Sequence, residues 1–158
     1  MDDNICRGKT QPQELWNRIK QESGYAGEDI DFVSFWVKHF KPNLQVHKLI
    51  KDVSRNHPVG LLTNIYPGVY PKAVETGNIP DLPYAFVLQS CDTGFVKPEK
   101  QIYELAQEMS GQKPSDILLI DDNSTFIAPA QEMGWKTYIF NTINPDTSVA
   151  SLRNGFAL

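Results

Sequence analysis

The stretch Ile117-Leu118-Leu119-Ile120-Asp121-Asp122 decides how this chain is read. Its unbroken apolar run, with no polar alternation, describes a strand buried on both faces, as in a parallel sheet. The run ends on two adjacent carboxylates, and the carboxyl ends of strands are where open parallel sheets bind ligands. Two earlier stretches have related forms. Leu61-Leu62-Thr63-Asn64 closes an apolar run on a hydroxyl, and Gly94-Phe95-Val96-Lys97-Pro98 sets a lysine just before a helix opened by proline.

Outward from these stretches, short apolar runs at Val59 to Thr63, Tyr84 to Leu88, Ile117 to Ile120 and Lys136 to Phe140 alternate with helical patterns. Pro98 signals one helix start, Gly111 and Gly134 signal ends, and Ile102, Leu105, Ala106 and Met109 form one stripe. Pro129 predicts a short or kinked helix after Asp122. The tail from Asn144 reads as a terminal helix. The expected architecture is α/β, a Rossmann-like parallel sheet with flanking helices.

Upstream the rhythm is helical. Thr10-Gln11-Pro12-Gln13 reads as a capping box before a helix carrying Leu15, Trp16 and Ile19 and ending at Gly24. A second helix is expected from about Glu28 to Phe40, with Trp36 and Phe40 as packing residues. Pro42-Asn43 caps a third, with a buried stripe of Leu44, Val46, Leu49, Ile50 and Val53.

The chain has 158 residues, enough for one domain with a core, and 41% of them are hydrophobic. A net charge of −4 gives no electrostatic reason to expect nucleic acid, and Lys48, Lys51 and Arg55 are spaced like a solvated helix face. The first residues lack the apolar region of a signal peptide, and no run approaches the length of a membrane span. Cys6 and Cys91 share no metal or disulfide spacing, so a cytoplasmic, reducing setting is expected. His39, His47 and His57 show no metal spacing and read as surface or loop residues. Cys91 lies between a strand and Lys97, near the expected pocket, without a partner that would make it a nucleophile.

At the carboxyl edge of such a sheet, Thr63 and the N–H groups after it can hold phosphate oxygens. The Lys97 ammonium and the positive end of the following helix act together on an anion. Asp121 and Asp122 offer hard oxygen ligands of the kind Mg²⁺ takes together with water and substrate phosphate. Taken singly, Thr63-Asn64 could be a helix cap, Lys97 a solvated lysine, and Asp121-Asp122 another cap. The ordered set is more specific, because separations of 97 − 63 = 34 and 121 − 97 = 24 residues each allow one βα unit.

With these motifs the chain resembles the haloacid dehalogenase-like (HAD) superfamily of hydrolases, over roughly Gly8 to Phe140. The resemblance implies that Thr63 and Asn64 hold the substrate phosphoryl group, that Lys97 is the catalytic lysine, and that Asp121 and Asp122 hold Mg²⁺. It implies a partial helical cap at residues 1–41, from the subgroup whose cap lies between the first two motifs, and an α/β core at 42–158. The function implied is a Mg²⁺-dependent phosphatase of a small phosphorylated metabolite, working through an aspartyl-phosphate. A dehalogenase of the same fold needs no Mg²⁺, so the acid pair argues against one. A phosphoacceptor receiver domain would place its acids ahead of the Thr and Lys, the reverse of the order here.

One part of the family pattern is missing. The nucleophile should lie in an Asp-x-Asp segment ending an apolar N-terminal strand, and Asp2-Asp3 have no such strand before them. The expectation is therefore a truncated or wrongly started frame, inactive alone. A pseudoenzyme or phosphate-binding interaction module is the alternative. In the family that first strand lies between the Thr63 and Asp121 strands, so its absence must close a gap or leave two inner edges unpaired. Unpaired edges invite self-association.

Overall fold

Four strands, each four residues long, form two separate parallel pairs rather than one sheet in the computed structural model, which describes residues 1–158. β1 (Gly60–Thr63) pairs with β2 (Phe86–Gln89) so that Leu62 faces Leu88. β3 (Leu118–Asp121) pairs with β4 (Lys136–Ile139) so that Ile120 faces Tyr138. β1 and β3 are not bonded to each other. Of the two outcomes foreseen for a sheet without its middle strand, this is the one with unpaired inner edges.

Between the pairs lies a cavity of about 690 Å³, walled by Leu61, Leu62, Leu118, Ile120, Ala106 and Phe140 among others. The carbonyls of Ile117 and Asp121 accept from the N–H groups of Lys136 and Phe140. The backbone groups of the residues between them, Leu118 and Ile120, therefore turn toward the cavity.

Helices hold the two pairs together. α7 (Lys100–Ser110) and α8 (Ser124–Glu132) bring Ile102, Tyr103, Ala106, Ile127 and Ala130 against Leu88 and Leu119. The Tyr103 hydroxyl donates to the Phe126 carbonyl at 2.6 Å, and burial pushes its pKa upward. Pro129 lies inside α8, which runs only nine residues. On another side α4 (Leu44–Val53) and α9 (Pro145–Gly155) bury Leu49 and Val53 against Val149 and Leu152, and Arg153 pairs with Asp52.

The N-terminal layer comprises α1 (Asp3–Cys6), α2 (Pro12–Ser23) and α3 (Phe32–Val37). With α5 (Val69–Glu75) it builds a third cluster of Ile5, Cys6, Val37, Tyr66, Val69, Ala73 and Val96. α6 (Ser90–Thr93) is a single turn after β2.

Several local expectations shift. The capping box begins at Gln11 rather than Thr10, because Glu14 reaches back to the Gln11 N–H. The helix expected from Glu28 starts at Phe32, where Asp31 accepts from Val33 and Ser34 as the cap, and it stops at Val37. Leu44, assigned to the buried stripe, is 71% exposed, since it sits in the first turn of α4 away from α9. Ile19 and Phe40 are also exposed, although Phe40 packs edge-on against Trp36. The sequence pattern does not mark α1, α5 or α6.

Candidate active site

The carboxyl ends of β1 and β3 are joined by a chain of polar contacts. Asn64, just past β1, accepts the Lys97 N–H at 2.8 Å with its side-chain oxygen and donates to the Lys97 carbonyl at 2.9 Å. The Lys97 ammonium donates to Asp121 Oδ2 at 2.5 Å, both side chains under a tenth exposed. It also lies 4.9 Å above the Phe126 ring. A buried ion pair of this kind is held by geometry and by further hydrogen bonds that satisfy the remaining polar atoms. Asp121 Oδ1 supplies one such bond, accepting the Asn123 N–H at 2.9 Å.

The local sequence explains each placement. Gly94 takes a left-handed conformation that ends α6 and turns the chain, and the Lys97–Pro98 peptide is cis. Asn123 caps α8 through the Thr125 N–H, so Asp121 and Asp122 lie between a strand end and a helix start. Thr63 is the last residue of β1 and is half-buried beside Asn64.

The predicted residues meet to different degrees. Lys97 and Asp121 are in direct contact, and the Asn64 side chain grips the Lys97 backbone. Asp122 is exposed at the end of β3. Nowhere do three or more His, Cys, Asp or Glu side chains gather in a metal-binding group. The donor set still suits Mg²⁺, which takes one or two carboxylates and completes its shell with water and phosphate. Of the Asp121 oxygens one is on Lys97 and one on a backbone N–H, whereas Asp122 faces solvent.

Three further residues shape the site and carried no recognisable signal. Ser90, fully buried, donates to the Cys6 carbonyl at 2.6 Å and accepts the Ile65 N–H at 3.0 Å, tying the end of β2 to the segment after Thr63. Arg7 and Glu99 form a bidentate pair at 2.7 and 3.0 Å across the base of the Lys97 loop. Cys91 packs its carbonyl under Gly8, and burial raises its thiol to about 11, which leaves it a poor nucleophile. His47 bonds to the Asn78 carbonyl, and His57 packs against Phe156, so neither approaches the site.

Residues 12–146 match the family of haloacid dehalogenase-like hydrolases. The chain belongs to that family. Solved structures agree on the fold. A HAD family enzyme of Bacteroides thetaiotaomicron, in complex with magnesium and inorganic phosphate, superposes with a TM-score of 0.71 at 23% identity, covering 87% of this chain and 73% of that one. A HAD-like family hydrolase of Porphyromonas gingivalis gives 0.72 at 22% identity, over 95% and 77%. Among curated proteins, bifunctional epoxide hydrolase 2 of Rattus norvegicus is 34% identical over 56 residues, which is 35% of this chain and 10% of the relative. The chain thus spans only about a tenth of that relative's length. No helix here is long and apolar enough to cross a membrane.

Proposed function

We propose that these residues form the greater part of a Mg²⁺-dependent phosphohydrolase of a small phosphorylated metabolite. Residues 1–41 serve as part of a helical cap and 42–158 as the core. The observation that supports the reading is the continuous link Asn64–Lys97–Asp121, which sets a cation and a carboxylate across the ends of two separate strand pairs. The Mg²⁺ and phosphate bound by the Bacteroides relative point the same way.

In this reading Thr63 and the following N–H groups hold phosphoryl oxygens, and Lys97 offsets the negative charge crowded between phosphate and nucleophile. Asp121 and Asp122 would hold Mg²⁺, which when bound polarises the phosphoryl group as a Lewis acid. In the family mechanism the nucleophile is an aspartate on a strand between those of Thr63 and Asp121, which is where the cavity between β1 and β3 lies. Its carboxylate oxygen attacks phosphorus, and the bond to the leaving alcohol breaks. A second aspartate protonates that oxygen, then deprotonates the water that attacks phosphorus, releases inorganic phosphate and restores the carboxylate. Free Cys6 and Cys91 suit a cytoplasmic setting for this chemistry.

A protein extended upstream by a strand ending in Asp-x-Asp should hydrolyse p-nitrophenyl phosphate when Mg²⁺ is present, and lose that activity with Lys97→Ala. Absence of turnover in the extended protein sinks the reading. One observation favours a second, non-catalytic role as a phosphate-binding module: Lys97 already has a carboxylate partner in Asp121. Calorimetry showing neither phosphate nor Mg²⁺ binding removes that role.

A further inference from the structure

Arg7 uses every nitrogen of its guanidinium, and most of those bonds reach the loop that carries Lys97. Nη1 donates to the Gly94 carbonyl at 3.0 Å, where the loop begins. Nη1 and Nη2 donate to the two oxygens of Glu99, where the loop ends, at 3.0 and 2.7 Å. Nε donates to Asp3 at 2.7 Å, which fixes the plane of the fork. Glu99 passes the constraint inward, since its Oε2 also accepts the Val96 N–H at 3.1 Å. The arginine side chain is only 18% exposed. A planar fork gripping a carboxylate with two bonds is directional in a way that a surface lysine pair is not.

The element that carries Arg7 is itself anchored. Ile5 and Cys6 are buried in the N-terminal cluster, and the Cys6 carbonyl accepts the Ser90 hydroxyl. Gly8, at φ +69°, lies so close under Cys91 that an added Cβ would stand 2.1 Å from its carbonyl oxygen. Asp2 accepts from Arg18 of α2, and its N–H donates to the Tyr66 hydroxyl. A connected path therefore runs from α2 through Asp2 and α1 to Arg7, and from Arg7 to both ends of the Lys97 loop. Asn64 holds the same loop from the opposite side through the Lys97 backbone.

We propose that Arg7 is a positioning residue for Lys97: the Arg7–Glu99–Gly94 clamp couples the N-terminal helical layer to the lysine of the phosphate site. Arg7 acts through the loop and need not touch the substrate. This rests on the proposed phosphate site, but the clamp can be tested independently of it.

The test compares Arg7→Lys, Arg7→Ala and Glu99→Gln in the full chain with Arg153→Ala, which breaks the distant pair with Asp52. Three quantities are measured for each protein: amide hydrogen exchange across residues 94–99, affinity for inorganic phosphate with Mg²⁺ by calorimetry, and melting temperature. Arg7→Lys keeps the charge and loses the fork, so it keeps the readout should Arg7→Ala fail to fold. Exchange at Val96 and Lys97 should quicken roughly tenfold in the Arg7 and Glu99 variants. Phosphate affinity should fall about fivefold with them, within the usual range of coupling between sites. Arg153→Ala should lower the melting temperature and change neither. Arg7→Lys and Glu99→Gln behaving like Arg153→Ala overturns the proposal. If the unmodified chain binds no phosphate, the phosphate site fails by itself, and the exchange data still decide the role of Arg7.

Discussion

The space between β1 and β3 has a rim and an interior, and the two are built differently. At the rim, Asn64, Lys97 and Asp121 bridge the strand ends with short, nearly buried polar contacts. Below it, the space is a cavity of about 690 Å³ with apolar walls, and Leu118 and Ile120 of β3 are 37% and 39% exposed. Their neighbour Leu119, on the other face of the strand, is buried against α7 and α8. The rim owes its order to helix caps and loops outside the gap. The interior has no such contacts, and β1 and β3 are not bonded across it. The polar groups of the site are therefore in contact although β1 and β3 are not joined in one sheet.

The rim gives the largest expected effect. Removing one member of a buried pair strands the other charge, so Lys97→Met should cost about 3 kcal/mol in urea denaturation. The double variant Lys97→Met, Asp121→Leu removes both charges and should regain most of that loss. If Lys97→Met is neutral alone, the rim is a solvated contact and the contrast with the interior collapses.

Adjacent residues of β3 probe the interior. Leu119→Ala empties a filled site and should cost about 3 kcal/mol. Ile120→Ala removes a side chain already facing the cavity and should cost about 1 kcal/mol or less, in proportion to the area still buried. Equal losses at the two positions would mean that the cavity is closed in solution.

This contrast also marks what could be read from sequence. The strands and the residues at their ends were legible because Leu61-Leu62-Thr63 and Ile117 to Asp121 are unbroken apolar runs closed by a polar group. That Lys97 spends its charge on Asp121 was not legible, since the partner depends on how two loops meet across the gap. Short elements were lost for local reasons. α5 contains Pro71, which reads as a break although it falls in the first turn, where proline is tolerated. α6 is too short to show a period. Arg7 and Glu99 lie 92 residues apart, and only the packing of α1 on α6 brings them together.

The smallest effect concerns the outer brace of the rim, and its sign follows from Glu99. The Arg7 hydrogen bonds, and then the Val96 N–H, hold the Glu99 carboxyl below its ordinary value of 4.5. A carboxylate with a lowered pKa in the folded state contributes stability that is present above the unfolded value and is lost as pH falls through the folded one. Melting temperature should therefore drop more steeply below about pH 4.5 in the native chain than in Glu99→Gln. The Glu99 side chain is 34% exposed, so solvent screens the pair and the difference should be no more than about 2–4 °C. Asp52 is lowered in the same direction by Arg153, so Asp52→Asn should flatten the same acid limb. Only Glu99→Gln should also quicken amide exchange at Val96. Identical exchange in the two variants would leave the brace as one more surface pair, and the rim would then rest on Asn64 and Asp121 alone.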